Sequence, residues 1–183
     1  MKPLVAAVAV LVALAVSAQA QTPEIDALRA RAEAGGAEAQ YDLGGIYATG
    51  QGGPQDDAEA VRLYRLAADQ GDAGAQYALG VMYANGRGVP QDDAEAVRWW
   101  QLAAEQGDAD AQVNLGVRYA VGRGVPQDDV QAHMWFNLAA SRMTGAQRES
   151  VVRDRDNVAD RMTPEDRSEA QHLAREWDAA HPR

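Results

Sequence analysis

Few side chains in this sequence could carry chemistry. Beyond residue 20 the hydroxyl nucleophiles among the serines are Ser141, Ser150 and Ser168, and none sits in G-x-S-x-G or S-x-x-K. There is no cysteine, and Lys2 is the only lysine, so covalent nucleophile schemes lack an activating partner. His133, His172 and His181 lie 39 and 9 residues apart, without the i,i+3 or i,i+4 spacing that sets two imidazoles on one helix face for a metal. His133 is expected to be a partly buried structural histidine. The acidic pairs Asp56-Asp57, Asp92-Asp93 and Asp128-Asp129 bring two oxygen-bearing residues together, where calcium takes about six to eight oxygens. Gly86-Arg87-Gly88 and Gly122-Arg123-Gly124 have the look of phosphate loops, yet they follow helical patterns, not strands. No catalytic, cofactor-binding or metal-binding residue is assigned, and the chain is expected to be non-enzymatic.

The acidic pairs recur every 36 residues, and so does everything around them. The stretch Asp72 to Gly107 aligns without a gap on Gly36 to Gly71 and on Asp108 to Met143, placing Gly44, Gly80 and Gly116 in register. A period in this range is the mark of stacked helix pairs, each burying its apolar face on the next. The fold class that follows is all-α, an α-α solenoid of three 36-residue repeats with a helical cap at each end. Its expected parts are residues 21–35 as N-terminal cap, 36–143 as repeats and 144–183 as C-terminal cap.

Within each unit the first helix, about Ala37 to Thr49 and its copies, carries Ala39, Leu43 and Tyr47 at i, i+4, i+8, one face of a 3.6-residue period. Gly50, Gly86 and Gly122 end it, and Pro54, Pro90 and Pro126 prevent its continuation. The second helix opens at the acidic pair, where Asp56, Asp92 and Asp128 stand three residues before Glu59, Glu95 and Gln131, the spacing of a reciprocal capping box. Small residues then alternate with large ones, Ala60, Leu63, Tyr64, Ala67 in the first copy and Ala96, Trp99, Trp100, Ala103 in the second. The aromatic positions are therefore expected in the core. After the repeats, Val151, Val158 and Met162 share a face, and Thr163-Pro164-Glu165-Asp166 starts a helix whose stripe Ala170, Leu173, Ala174, Trp177 can cover the last repeat.

Met1-Lys2-Pro3, an apolar run from Leu4 to Val16 and Ala18-Gln19-Ala20 read as a secretory signal, residues 1–20, with cleavage after Ala20. The expected location is periplasmic or secreted, with no stable membrane span after cleavage. The formal net charge is −10, which argues against nucleic acid because phosphate contacts need a positive face. The acidity is uneven: residues 21–141 hold 8 basic and 18 acidic side chains, residues 142–183 hold 8 and 9.

The unit A-x-A-Q-x-x-L-G-x-x-Y-x-x-G-x-G-x-P-x-D-x-x-x-A-x-x-W-x-x-x-A-A-x-x-G resembles the Sel-1-like repeat, a relative of the tetratricopeptide repeat, over about residues 24 to 143. The ending, with M-T-P-E-D and Ala170 to Trp177, is similar to that of bacterial members. The resemblance implies a right-handed superhelix of helix pairs and an adaptor for protein complexes, often in the bacterial envelope. Leu63 departs from the tryptophan at Trp99 and Trp135. The cysteine pair of members linked to β-lactam binding is absent, so that activity does not carry over.

Positions free to vary point to a binding surface. Glu38, Asp42, Gly45 and Thr49 form one stripe of the first helix, with Gly74, Ala78, Val81, Asn85 and Asp110, Asn114, Val117, Val121 as its copies and Arg118 at its border. Stacking would align the stripes on a concave face. The expected partner is a protein, held by Asp42, Thr49, Asn85, Asn114 and Arg118, with no cofactor. The alternative is an accessory or hydrolytic protein acting on cell-wall material, against which the lack of any nucleophile or paired-acid arrangement speaks.

Overall fold

The computed structural model describes residues 22–51 and 53–182; the expected signal segment 1–20 and the expected cleavage after Ala20 lie outside them. Among the described residues there are nine helices and no strand, α1 Pro23–Glu33, α2 Ala37–Thr49, α3 Asp57–Ala68, α4 Ala73–Asn85, α5 Asp93–Glu105, α6 Ala109–Val121, α7 Asp129–Arg142, α8 Gly145–Ala159 and α9 Pro164–Ala180. The chain is thus an all-α protein of three helix-pair repeats, as its period requires. The helices group into two compact units, one of the described residues up to Asp72 with Arg87–Val89, the other of 73–86 with 90–182.

In the first unit, Leu28 and Ala32 of α1 pack with Ala39 and Leu43 of α2 and Leu63 of α3. Gly44 lies so close to the Tyr64 ring that a Cβ there would stand 2.8 Å from it. The turn Arg87–Val89 is pinned to the start of α3: the Arg87 guanidinium donates to Asp57 at 2.6 Å and to the Ala48 carbonyl at 2.8 Å. Gly88, at φ +69°, brings its backbone so near that a Cβ would meet the Asp57 carbonyl oxygen at 2.2 Å. Only glycine fits such a place, both for its φ and for its size. The Arg87 hydrogen bond, reinforced by that of Gln55, holds the Asp57 carboxyl below its ordinary range.

The second unit repeats these devices. Gly80 receives Trp100 and Gly116 receives Phe136. Arg123 donates to Asp93 at 2.8 Å, and Asp129 is taken by Arg161, which follows α8. That bond holds the Asp129 carboxyl low as well. Buried glutamines tie together the helices of the first two copies. Gln106 donates to Gln76 at 2.8 Å as Gln70 does to Gln40 in the first unit. The third copy has Arg142 in that place, which turns to Asp178 at 2.8 Å, so the Oε1 of fully buried Gln112 has no protein partner. Val151, Val158, Met162 and Ala170 pack on Phe136 and Ala139, while Leu173, Ala174 and Trp177 pack around Trp135 and Leu138. The C-terminal helices thereby close the last repeat, as their stripes suggest.

Two expectations need correction. The aspartate caps are one-sided: Asp56 accepts from the Glu59 amide and Asp92 from those of Ala94 and Glu95, but the Glu59 and Glu95 carboxylates do not reach back. They are engaged one turn on by Arg62 at 2.7 Å and Arg98 at 3.0 Å, an i,i+3 pairing that competes for the same oxygens. The reciprocal box forms at α9, between Thr163 and Asp166. His133 is also buried more deeply than expected, at 5% exposure, because α8 and α9 cover the helix that carries it.

Candidate partner-binding surface

The stripe positions are spaced so that one face of each first helix carries them, and the buried face of the same helix fixes its rotation. On α2, Ala39, Leu43 and Gly44 are buried, which leaves Glu38, Asp42 and Thr49 exposed. The Thr49 hydroxyl donates to the Gly45 carbonyl at 2.8 Å, a bond back onto its own helix. On α4, Asn85 is exposed and its amide donates to the Val81 carbonyl at 2.8 Å. Asp42 and Thr49 belong to the first unit; Asn85, Asn114 and Arg118 belong to the second.

On α6 the stripe changes character. Asn114 is half-buried. The Arg118 side chain is 14% exposed, donates to Asp93 at 3.0 Å and lies 5.2 Å over the Trp100 ring. Burial lowers its pKa and the Asp93 carboxylate opposes that shift. Arg118 is thus a brace between α6 and α5, and its charge is already answered within the chain. Val117 and Val121, by contrast, are 40% and 56% exposed. With Ala120, Phe136, Val158 and Arg161 they line a groove of about 230 Å³.

Reading by polarity picked out Asp42, Thr49, Asn85, Asn114 and Arg118 as the holding residues and left these valines as stripe positions without a role. The signal that reveals Val121 is its column in the repeat alignment: threonine and asparagine occupy it in the other copies, so packing does not demand an apolar side chain there. Val117 carries no such signal, since Val81 matches it and is partly buried against the core.

Three of the side chains with chemical potential have a structural contact. The Ser141 hydroxyl donates to the Leu138 carbonyl at 2.7 Å, His172 stands 3.2 Å from Glu176, and His181 stacks on Trp177 with centroids 4.1 Å apart. Every aspartate of the three acidic pairs caps a helix or meets an arginine. Among the described residues no group of three or more acidic or histidine side chains is placed to hold a metal. No helix among them is long and apolar enough to cross a membrane.

The family model of the Sel1 repeat matches residues 37–72, 73–108 and 109–142, the three units of the period. Two solved structures are similar. A Sel1 repeat protein from Oxalobacter formigenes is 33% identical, with a TM-score of 0.59, over 67% of this chain and 46% of that one. A protective antigen present in uropathogenic Escherichia coli strains, displaying an SLR fold, is 26% identical, with a TM-score of 0.63, over 86% of this chain and 41% of that one. The chain therefore spans less than half the length of either. No curated protein matches it.

Proposed function

The chain belongs to the Sel1 repeat family, and from that premise we propose that it is a non-enzymatic scaffold of the bacterial envelope that holds a protein partner along the exposed stripe of its first helices. Sel1 repeat proteins generally mediate protein–protein interactions. The observation that carries the reading for this chain is the pair Val117 and Val121 on α6 of the second unit, open to solvent beside a groove. Apolar anchors rimmed by polar groups are the usual composition of a protein-binding patch. The concave side of the repeats is where such a stripe belongs. Placement in the envelope rests on the signal-like residues 1–20, with their apolar run and Ala18-Gln19-Ala20.

The test is capture from envelope extract with Val117→Asp/Val121→Asp, beside Asp42→Ala/Asn85→Ala/Asn114→Ala. Arg118 is left in place because its loss would unsettle Asp93. Both variants should keep the wild-type melting temperature and lose the captured protein; undiminished capture by both would overturn the reading. N-terminal sequencing of the envelope form should begin at Gln21, and a chain beginning at Met1 would overturn cleavage.

A further inference from the structure

The second unit holds a cavity unrelated to the stripe. It lies between α7, α8 and α9, measures about 440 Å³, and is lined by His133 and Asn137, by Arg155 and Asp156, and by Arg167, Gln171 and Arg175. Each helix contributes neighbours on one face, His133 with Asn137 at i,i+4 and Arg167, Gln171, Arg175 at i, i+4, i+8. Three guanidiniums thus converge in a chain whose net charge is −10. Asp156 answers one of them, pairing with Arg155 at 2.8 Å. Arg167 donates to the neutral Met162 carbonyl at 3.2 Å. Arg175 has no hydrogen bond or ion pair among the described residues. Two exposed guanidiniums, Arg167 and Arg175, therefore line the cavity without a carboxylate partner among the described residues.

The neutral groups point the same way. Asn137 accepts from Arg155 through its Oδ1, which leaves its amide hydrogens to donate. His133 is buried, and its Nδ1 has no protein partner. Burial and then Arg155 lower its pKa, with Asp156 opposing and Arg167 adding to the lowering, so the ring is neutral near physiological pH. A bare acceptor is tolerated in a buried place better than a bare N–H, which puts the ring proton on Nε2. That makes the imidazole a neutral donor beside the arginines.

We propose that this cavity binds a phosphate group, free or as a phosphomonoester, through Arg167 and Arg175 with His133 and Asn137 as neutral donors. Guanidinium forks suit both phosphate and carboxylate. The charge decides between them: phosphate brings about −1.5 to −2 near neutral pH and a carboxylate only −1, and two cations are unanswered. The cavity is also roomier than a bare phosphate needs, which leaves space for an ester substituent.

The experiment is isothermal titration calorimetry of the full chain with inorganic phosphate, glycerol 3-phosphate and acetate at matched ionic strength. Saturable binding of inorganic phosphate is expected, weakened about tenfold or more in Arg175→Gln, since one charge-assisted hydrogen bond is lost. Arg175 has no structural partner, so this variant keeps the fold; Arg153→Gln, an exposed arginine outside the cavity, should bind as wild type does. The ring-nitrogen shifts of His133 should move with the same midpoint as the heat. Equal affinity for glycerol 3-phosphate identifies an ester ligand, and its exclusion a free ion. Absence of saturable heat, equal binding by Arg175→Gln, or acetate binding as tightly as phosphate would overturn the assignment.

Discussion

A Cβ added to Gly80 would stand 2.3 Å from the indole Nε1 of Trp100, so the backbone of α4 and the ring on α5 are in direct contact. The same indole donates to the Tyr77 carbonyl at 3.2 Å, which leaves it no room to retreat. Gly80→Ala should therefore destabilise by about 1–3 kcal/mol through overpacking, outweighing the roughly 1 kcal/mol that alanine gains over glycine in a helix. Urea titration checks this, and a variant as stable as wild type would show that the ring can shift.

Trp99 and Trp135 are 4% and 8% exposed, and neither indole N–H has a protein acceptor. Alanine at either place should cost about 3–5 kcal/mol. Phenylalanine should cost below about 1.5 kcal/mol, because no hydrogen bond is given up. Denaturant midpoints of the two substitutions at Trp99 would contradict this if they coincided.

The cap on α5 is carried by Asp92 alone. Asp92→Ala should cost about 1 kcal/mol, whereas Glu95→Ala should cost about 0.5 kcal/mol or less, the worth of its i,i+3 pair with Arg98. Equal losses in thermal melts would mean that a reciprocal box exists in solution.

Asp57 supplies a pH dependence. Its carboxyl is held low, first by the Arg87 hydrogen bond and then by that of Gln55. A lowered folded-state pKa gives stability that is present above the unfolded value of about 4 and lost as pH falls through the folded value. Arg87 is 40% exposed, so Asp57→Asn should cost less than about 1 kcal/mol at neutral pH. The gap between variant and wild type should close as urea titrations are repeated down to about pH 2; a gap of constant size would assign it to packing.

Much of this protein was legible in its sequence. The three units, the ends of their helices and the burial of Ala60, Trp99 and Phe136 follow from requirements that are local to one helix pair and restated every 36 residues. A glycine at a left-handed C′ position or an apolar residue at i and i+4 means the same thing wherever the helix lies. Partners some 30 residues apart are another matter. That Asp57 meets Arg87, that Asp93 meets Arg123 and that Arg118 braces the same Asp93 depend on which oxygens are nearest after packing. The last segment shows this best. Its basic and acidic residues nearly cancel along the chain, and only the meeting of α7, α8 and α9 gathers Arg167 and Arg175 beside His133. Net charge is a sum over sequence, whereas the field in a cavity is a sum over distance, and the tertiary structure alone sets the distances.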